Sequence, residues 1–578
     1  MTTPSSNRWD YEIRGLACIA LCVSIFSFLA FFRRSEILLY GDAVAHINIA
    51  RRVFDSKTPG LLQLGTVWLP LPHLLMIPFL LSQKMWQEGT GGSIPSMVAY
   101  VFGVIGIFRL VRGSLSTPEK SSSAARIAAW IAALIFAANP NLIYMQTTAM
   151  GESLYLAFFL WAAVYFGEAL RNRKNALTKC GLCLAAASLT RYDGWFLSMA
   201  VVAALAVIVF AGFLGSGESS SRVEFAFSRV QLVKFILIVA AAPALWLAYN
   251  AVVYHNALEF ENGPYSAQAI EKRTQAPGSP GHPGTGNLYV SGLYFLKSAE
   301  FNLAENQWLQ RMWLLVGLAA IAVPIYRSIN HRADAQGVVT EKSTKTSANK
   351  KRAAAFMSAQ SWWPLVLLLI PLPFYALSVA YGGVPIFIPA WWPFTHYNVR
   401  YGLQLLPAFA VSAGLLLYFG WTSTMWRGLL RRVALLAVLA LVFASYVTIW
   451  QAGPICLSEA QINMRGRNTL ETRLAVWLKS LPPDSTLLMY LGDHVGAVER
   501  AGIPLRRVIN EGNHRVWMRP EDPEGLWERT LADPAAYADY ALAFEGDRVW
   551  QAVQPKHFKE IVEINVTGQA RAILYRTR

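Results

Sequence analysis

Charged side chains are scarce in this chain of 578 residues: they make up 15% of it, whereas hydrophobic residues make up 54%. A soluble domain carries roughly 25% charged residues, so the composition excludes an ordinary soluble protein. Apolar runs of about 20 residues recur along the sequence and predict a protein that crosses the membrane many times. The formal net charge is +16, but the basic residues are scattered over short loops, so the chain lacks the basic patch of a nucleic-acid-binding protein.

Cysteines are also few, and their positions do not indicate a disulfide framework. Four of the five lie in apolar segments. Two of them form a C-x-x-C motif inside a predicted span, a setting that argues against redox or metal chemistry. The first apolar segment lacks a small-residue cleavage signature, so we interpret it as a retained anchor. The five are Cys18, Cys22, Cys180, Cys183 and Cys456, of which Cys180 and Cys183 form the motif.

Eleven apolar segments have the length of membrane-spanning helices. A further run at 67–82 is shorter and contains Pro70, Pro72 and Pro78, which would interrupt a regular span. We therefore interpret it as an interfacial or re-entrant helix. The predicted spans cover residues 15–32, 94–112, 125–145, 153–170, 176–191, 195–214, 231–253, 312–327, 362–381, 402–420 and 433–450.

The distribution of lysine and arginine predicts the orientation of these spans, because such residues accumulate in cytoplasmic loops. If the N-terminus is cytoplasmic, the inner loops between the second and the last span carry most of the basic residues, including Lys350, Lys351 and Arg352. The orientation would reverse if 67–82 were a full span. Over the same range the outer loops carry only Arg191, Lys272, Arg273, Lys297, Arg311 and Arg400.

The predicted fold class is therefore mainly α: a polytopic membrane protein followed by a small extracytoplasmic α/β domain. Residues 1–454 form the membrane module, with outer loops at 41–93 and 254–311 and a basic cytoplasmic loop at 328–357. After about residue 455 the charge density rises and no further span follows. Within 455–578 the sequence predicts helices at 458–481 and 523–531, strands at 485–491 and 540–544, and a hairpin of 560–564 and 570–575 around Thr567-Gly568.

The outer face of this topology collects ionisable and aromatic residues. Such groups are costly at membrane depth and are usually paired or functional. A carboxylate can act as a base toward an acceptor hydroxyl, an arginine can bind a leaving phosphate, and an aromatic ring can stack on a sugar. Transfer of a sugar from a lipid phosphate requires this combination. The residues are Asp42 and His46 in the first outer loop, Glu152 after the third span, Arg191, Tyr192 and Asp193 after the fifth, and His396, Asn398, Arg400 and Tyr401 before the tenth.

Each of these residues also has a structural interpretation. Asp42 could be the N-cap of the helix that follows it, and a carboxylate can be both a cap and a base. His46 lies four residues after Asp42 on the same helical face, where it either lines the site or makes a plain polar contact. The corresponding alternatives are a cap of the fourth span for Glu152, a mutual salt bridge for Arg191 and Asp193, and interface anchoring for Arg400.

Three segments carry a family resemblance. Asp42-x-x-x-His46-x-x-x-Ala50-Arg51 resembles the Asp-Glu-x-x-Tyr-x-x-x-Ala-Arg start of the lipid A aminoarabinose transferases and the related protein O-mannosyltransferases. Trp68-Leu69-Pro70-Leu71-Pro72-His73 resembles their Lys-Pro-Pro-Leu-Pro-Tyr segment, and Ile94-Pro95-Ser96 resembles the opening of their second span. The segments agree in order and spacing over about the first 170 residues.

The resemblance implies a GT-C fold in which Asp42 is the catalytic base and Glu152 is the acidic residue of the second outer loop. It also implies that Arg51 and His73 belong with the substrate-binding residues. Exact substrate and metal ligands are not carried over, because the chain departs from the motifs. The departures are Ala43 in place of the second acidic residue, His46 in place of tyrosine, and Trp68 or Leu69 in place of lysine.

We therefore predict an inverting membrane glycosyltransferase that moves a sugar from a polyprenyl-phosphate donor to a glycan, lipid or protein acceptor. The predicted site faces outside in the plasma (inner) membrane, among membrane lipids and without nucleic acid. The pattern requires no cofactor and predicts no metal site, although outer carboxylates could bind a divalent cation. The alternative is a transporter or flippase of envelope glycolipids, which would be expected to carry midplane ionisable residues and repeated helices. A non-catalytic envelope scaffold would leave the aspartates and arginines unexplained.

Overall fold

The structure of the chain is a computed structural model. It describes residues 5–115, 122–214, 227–274, 281–337, 363–422, 428–492, 494–513 and 524–578. Most of these residues are helical, and residues near the C-terminus form a five-stranded sheet. The predicted basic loop at 328–357 lies mostly outside the described residues.

Helices α1 to α10 form the first part of the chain, and their ends follow local sequence signals. The side chain of Asn139 accepts a hydrogen bond from the Leu142 N–H, and Pro140 occupies the first helical position, so a new helix starts there. The helices are α1 (Ser5–Arg33), α2 (Gly41–Arg52), α3 (Leu71–Leu80), α4 (Gln83–Gln87), α5 (Thr90–Leu115), α6 (Ser123–Ala138), α7 (Pro140–Met145), α8 (Glu152–Leu170), α9 (Ala176–Ser188) and α10 (Asp193–Leu214).

Ten further helices complete the membrane part and lead out of it. Ser228 and Gln231 form a capping box at the start of the first one. Near the end, Gly453 has φ +92°, a conformation that suits glycine, and Pro454 precedes the last helix. The helices are α11 (Arg229–Tyr254), α12 (Glu259–Asn262), α13 (Ala267–Thr274), α14 (Leu288–Leu303), α15 (Gln307–Gly337), α16 (Trp363–Val366), α17 (Pro371–Tyr381), α18 (Leu406–Thr422), α19 (Gly428–Ala452) and α20 (Ile455–Lys479).

Eight segments of the described chain are long and apolar enough to cross a membrane. Each overlaps one of the apolar runs predicted from the sequence, so a polytopic membrane protein is confirmed. The segments are Tyr11–Arg33, Thr90–Leu115, Glu152–Leu170, Asp193–Phe210, Arg229–Tyr254, Trp363–Tyr381, Val399–Thr422 and Gly428–Lys479.

The predicted number of eleven spans is not confirmed. The runs at 125–145, 176–191 and 312–327 correspond to shorter apolar helices, Ser123–Ala138, Ala176–Ser188 and Gln307–Val323. In the first case the Asn139-Pro140 step divides one apolar run into α6 and α7, which apolar length alone does not reveal. The run at 67–82 contains the short helix α3, as its prolines predict.

The C-terminal sheet combines parallel and antiparallel pairs in the order β2-β1-β3-β5-β4. Strand β1 pairs in parallel with β2 and β3, whereas β5 pairs antiparallel with β3 and β4. The predicted strand at 540–544 and the predicted hairpin are present, but β2 was not predicted. The elements are β1 (Leu487–Met489), α21 (Val495–Ala501), β2 (Val508–Ile509), α22 (Leu526–Ala532), α23 (Pro534–Tyr537), β3 (Tyr540–Phe544), α24 (Arg548–Val553), β4 (Lys559–Ile564) and β5 (Ala572–Arg576).

Side chains of the sheet alternate between two hydrophobic cores, as the pleat requires. Leu487 and Met489 belong to the same apolar cluster as the membrane helices, whereas Leu488 packs in a second cluster with Trp527 and Val549. One face of the sheet is therefore continuous with the packing of the membrane module. This continuity holds the C-terminal segments against residues 41–93, which include α2.

Candidate active site

Asp42 lies in the first turn of α2, where its carboxylate is both anchored and accessible. The N-cap of the helix is Tyr40, so the alternative in which Asp42 is the cap is not what the structure shows. Asp42 Oδ2 accepts a hydrogen bond from Arg400 Nη2 at 2.7 Å. The side chain remains 41% exposed.

Arg400 lies in the 3-10 helix Val399–Leu405, and its guanidinium is enclosed by three carboxylates. Besides the bond to Asp42, Nε donates to Glu152 Oε1 at 3.2 Å and Nη1 donates to Glu459 Oε1 at 2.6 Å. The backbone N–H groups of Asn398 and Arg400 also donate to Glu459. A single buried cation thus joins the starts of α2, α8 and α20.

Arg191 forms a second centre that shares Glu152 with the first. It donates from Nη1 to Glu152 Oε1 at 3.0 Å and from Nε to Asp193 Oδ2 at 3.3 Å. Its Nη2 donates to Tyr375 Oη at 2.9 Å, and that hydroxyl donates to Asp193 at 3.0 Å. The predicted salt bridge between Arg191 and Asp193 is therefore present, but as part of a larger network.

Tyr401 lies beside both guanidiniums. The guanidinium carbon lies 4.9 Å from the Tyr401 ring centroid for Arg191 and 5.1 Å for Arg400. Such cation–π contacts stabilise a desolvated charge. Tyr40 makes a similar contact with Arg400, at 5.0 Å. We call the ionic group formed by Asp42, Glu152, Arg191, Asp193, Arg400 and Glu459 the Arg400 cluster.

The Arg400 cluster contains more carboxylates than cations, four against two. Three carboxylates are almost fully buried, and in the described residues Glu152 Oε2 and Asp193 Oδ1 are enclosed without a hydrogen-bond partner. Buried polar atoms in proteins usually have partners, so such exceptions need an explanation. Asp42 differs from the other three because its carboxylate can meet a substrate without any movement of the protein.

His46 and His73 form a buried pair next to the Arg400 cluster. The distance between His46 Nδ1 and His73 Nε2 is 2.8 Å. The ring of Trp68 lies 5.0 Å from that of His46, centroid to centroid. Burial lowers the pKa of His46, against the opposing effect of Asp42 and Glu152. The two histidines predicted to bind substrate are therefore brought together, and His46 is neutral near pH 7.

Tyr192, His396 and Asn398 make hydrogen bonds to neighbouring segments of the chain. The Tyr192 hydroxyl donates to the Val67 carbonyl at 3.2 Å. Asn398 has a left-handed backbone with φ 57°, and its amide donates to the Pro385 carbonyl at 2.9 Å. The carbonyl of His396 accepts a hydrogen bond from Asn463 at 3.2 Å, and its side chain is half-buried.

Arg51 is not joined to the Arg400 cluster by any hydrogen bond found among the described residues. Its Nε donates to Asp55 Oδ2 at 2.8 Å, and its Nη2 donates to Gln83 at 2.8 Å. Its Nη1 donates to the Leu80 carbonyl. These contacts tie the end of α2 to the segment between α3 and α4, which is a structural role.

No model of a protein family matches the chain, and no curated protein matches it. Among solved structures, the chain is similar to ArnT from Cupriavidus metallidurans bound to undecaprenyl phosphate, with 13% identity, a TM-score of 0.51 and coverage of 99% of each chain. The chain has a GT-C fold.

A second GT-C structure shows a weaker likeness. The archaeal oligosaccharyltransferase AglB from Archaeoglobus fulgidus, in complex with an inhibitory peptide and a dolichol-phosphate, is 12% identical, with a TM-score of 0.43. The match covers 97% of this chain and 74% of that one. The similarity to ArnT concerns the fold alone, so the roles of the site residues depend on the side chains of this chain.

Two members of the network were not predicted from the sequence. Glu459 lies in the first turns of α20, in a segment assigned to the C-terminal domain, and Tyr375 lies within a predicted span. A signal for Glu459 exists: like Asp42, it is an acidic residue at the start of the helix that follows an apolar span. Nothing in the sequence near Tyr375 separates it from an ordinary core aromatic residue.

No group of three or more His, Cys, Asp or Glu side chains in the described ranges is arranged to hold a metal ion. In the Arg400 cluster the carboxylates converge on guanidiniums instead. The unpartnered oxygens of Glu152 and Asp193 are enclosed, whereas the Asp42 carboxylate is the accessible one of the cluster.

Proposed function

We propose that the chain is a membrane glycosyltransferase that transfers a sugar from a polyprenyl-phosphate donor to a glycan, lipid or protein acceptor. The observation that carries this proposal is the position of Asp42, a half-exposed carboxylate fixed on the buried guanidinium of Arg400. The GT-C fold supports the reaction class. The structure of ArnT bound to undecaprenyl phosphate supports the class of lipid donor.

Asp42 acts as the general base in this proposal. Only its Oδ2 has a hydrogen bond to another described residue, which leaves Oδ1 for the proton of an acceptor hydroxyl. As Asp42 takes this proton, the hydroxyl oxygen bonds to the anomeric carbon. The bond from that carbon to the phosphate oxygen breaks, and its electron pair leaves with the phosphate. A single displacement of this kind inverts the anomeric centre.

Arg191 and Arg400 stabilise the phosphate as it leaves. A guanidinium has five N–H groups, and Arg400 donates three of them to carboxylates in the described residues. The others remain for phosphate oxygens, which a guanidinium contacts in a two-pronged geometry. Because negative charge grows on the phosphate during the reaction, a fixed cation helps the transition state more than the ground state.

The active site is proposed to face outside in the plasma (inner) membrane. The clustering of basic residues in the loops on the opposite side supports this orientation. It also agrees with the position of Arg109, which pairs with Glu168 at the end of α8 opposite to Glu152.

The proposal is tested with purified protein, a panel of labelled sugars linked to undecaprenyl phosphate, and candidate acceptors. Asp42→Asn keeps the size of the side chain but removes its basicity, so we expect transfer to fall by roughly 10²–10⁴-fold. Asp484→Asn, the same change at an exposed aspartate, should leave transfer unchanged. Parental transfer by Asp42→Asn would exclude Asp42 as the base, and no transfer by the parent protein with any lipid-linked sugar would contradict the proposed function.

A further inference from the structure

The contact between His46 and His73 restricts where their protons lie. Two neutral imidazoles 2.8 Å apart share one N–H, so one ring donates and the other accepts. If His46 Nδ1 donates, the proton of His73 must be on its own Nδ1. If His73 Nε2 donates, its Nδ1 is bare and the proton of His46 is on Nε2.

The surroundings of His73 favour the second arrangement. Its Nδ1 is enclosed and has no hydrogen-bond partner in the described part of the chain. Orphaned N–H groups are rarer in protein interiors than orphaned acceptors, so this nitrogen is better left without a proton.

The surroundings of His46 agree with this assignment. Among the described residues His46 Nε2 has no hydrogen-bond partner, and unlike His73 Nδ1 it is not fully enclosed. A donor without a protein partner is therefore available one helical turn from Asp42.

We infer that His73 is a positioning residue that fixes His46 as a neutral Nε2–H donor to the phosphate of the lipid donor. This inference rests on the proposed function for its ligand, because the phosphate is placed beside Arg191 and Arg400. A neutral donor binds a phosphate oxygen without adding a charge to the Arg400 cluster. Trp68 supports the arrangement because its ring packs against that of His46.

The test measures the tautomer and the ligand contact separately. In full-length protein labelled with ¹⁵N-histidine, the protonated and bare ring nitrogens of a neutral imidazole resonate far apart. The His46 signals are assigned by their loss in His46→Asn, and His557→Phe, at an exposed histidine, controls for indirect effects. We expect His46 to be protonated on Nε2, and this resonance to move when undecaprenyl phosphate is added.

Two substitutions of His73 separate positioning from packing. His73→Phe keeps a flat ring without nitrogens, so His46 should populate both tautomers and the affinity for undecaprenyl phosphate should fall about tenfold. His73→Gln keeps an N–H donor near the position of Nε2, so it should restore the Nε2–H form and most of the affinity. A role in packing alone would not distinguish the two variants in this way.

Three results would overturn the inference: a His46 protonated on Nδ1 in the parent protein, an unchanged tautomer in His73→Phe, or an Nε2 resonance that does not respond to undecaprenyl phosphate. Failure of the proposed function has a different signature. The lipid would then bind with the expected tautomer, but no sugar would be transferred from any lipid-linked donor.

Discussion

At its first turn α2 presents Asp42 to Arg400, and near its last turn it presents Arg51 to Asp55, so one short helix carries an ionic contact at each end. At the second end both carboxylate oxygens of Asp55 accept hydrogen bonds. Asp55 Oδ2 accepts from Arg51 at 2.8 Å and from the Leu505 N–H at 3.3 Å, while Oδ1 accepts from the backbone and the side chain of Arg506. Asp55 is only 2% exposed.

The two ends differ in how well their charges are matched. Asp55 has two arginines and two backbone donors, whereas the Arg400 cluster has four carboxylates for two guanidiniums and leaves buried oxygens without partners. A matched group holds parts of a protein together. In the Arg400 cluster the excess negative charge is not neutralised within the group, and ionic groups perturbed in this way often mark functional sites.

The matched end belongs to a larger polar interface between residues 41–93 and residues 495–513. Asn48 donates to Glu499 at 2.6 Å, Gln63 to the Gly512 carbonyl at 2.9 Å, and Gln83 to the Gly502 carbonyl at 3.1 Å. These hydrogen bonds tie α2, which carries the proposed base, and the segments that follow it to the C-terminal part of the chain. The largest expected difference between the two ends is the loss of transfer in Asp42→Asn.

Arg400→Lys should have the next largest effect on activity. A lysine cannot contact three carboxylates and a phosphate with one planar group, so we expect turnover to fall by roughly 10²–10³-fold, the usual cost of losing one fixed donor to a transition state. Arg400→Ala should also weaken binding of undecaprenyl phosphate. Turnover and lipid affinity are measured on variants whose folding is checked by gel filtration.

Arg109→Lys is the matched control, because Arg109 pairs with Glu168 through one nitrogen at the other end of α8. It should have near-parental turnover. If folded Arg400→Lys also kept parental turnover and affinity, Arg400 would be an anchor at the membrane interface rather than a phosphate ligand.

Asp55→Asn should affect stability more than chemistry. The change removes a buried charge-assisted hydrogen bond to Arg51, and such a bond contributes about 1.5–3 kcal/mol. The bond to Arg506 contributes less, because that side chain is 65% exposed. We expect faster hydrogen exchange in 495–513 and in α2, with turnover per folded molecule close to the parent. If hydrogen exchange in Asp55→Asn were as slow as in the parent and turnover fell strongly, Asp55 would act in the reaction rather than in stability.

The sequence predicts the parts of this molecule that depend on local pattern. Apolar length located the helices, and Thr567-Gly568 located the hairpin of β4 and β5. Positions of Asp42, Glu152 and Arg400 after or before spans indicated a shared face, and the structure brings them into contact.

Contacts between distant segments could not be predicted in the same way. Glu459 meets Arg400 only because α20 folds back on the 3-10 helix, and a pattern within either segment does not encode that approach. Arg51 was placed with the substrate because it ends a motif, yet its partner Asp55 is completed by Arg506, which lies 451 residues away from it. The parallel pairing of the short strands β1 and β2 is likewise a product of tertiary packing.

The smallest predicted effect concerns Glu499, at the matched end of α2. Burial, and then the neighbouring carboxylate of Glu471, raise the pKa of Glu499 to about 8, although Asn48, Arg500 and Arg467 act in the opposite direction. The ordinary value is 4.5. Between these two values the folded protein holds a proton that the unfolded chain has released, so stability falls as pH rises through this window. The contribution is complete below about pH 4.5 and lost above about pH 8.

Glu499→Gln should abolish this pH dependence while it keeps the oxygen that accepts from Asn48. We expect the Tm of the parent in detergent to fall relative to that of the variant by roughly a few °C between pH 5 and pH 8. Glu563→Gln, at an exposed glutamate on β4, should leave the pH profile of the parent unchanged. Parallel Tm profiles for the parent and Glu499→Gln would mean that Glu499 is already ionised in the folded protein. The interface would then contain the buried, ionised carboxylate of Glu499. The two ends of α2 would in that case differ only in degree in how well their charges are matched.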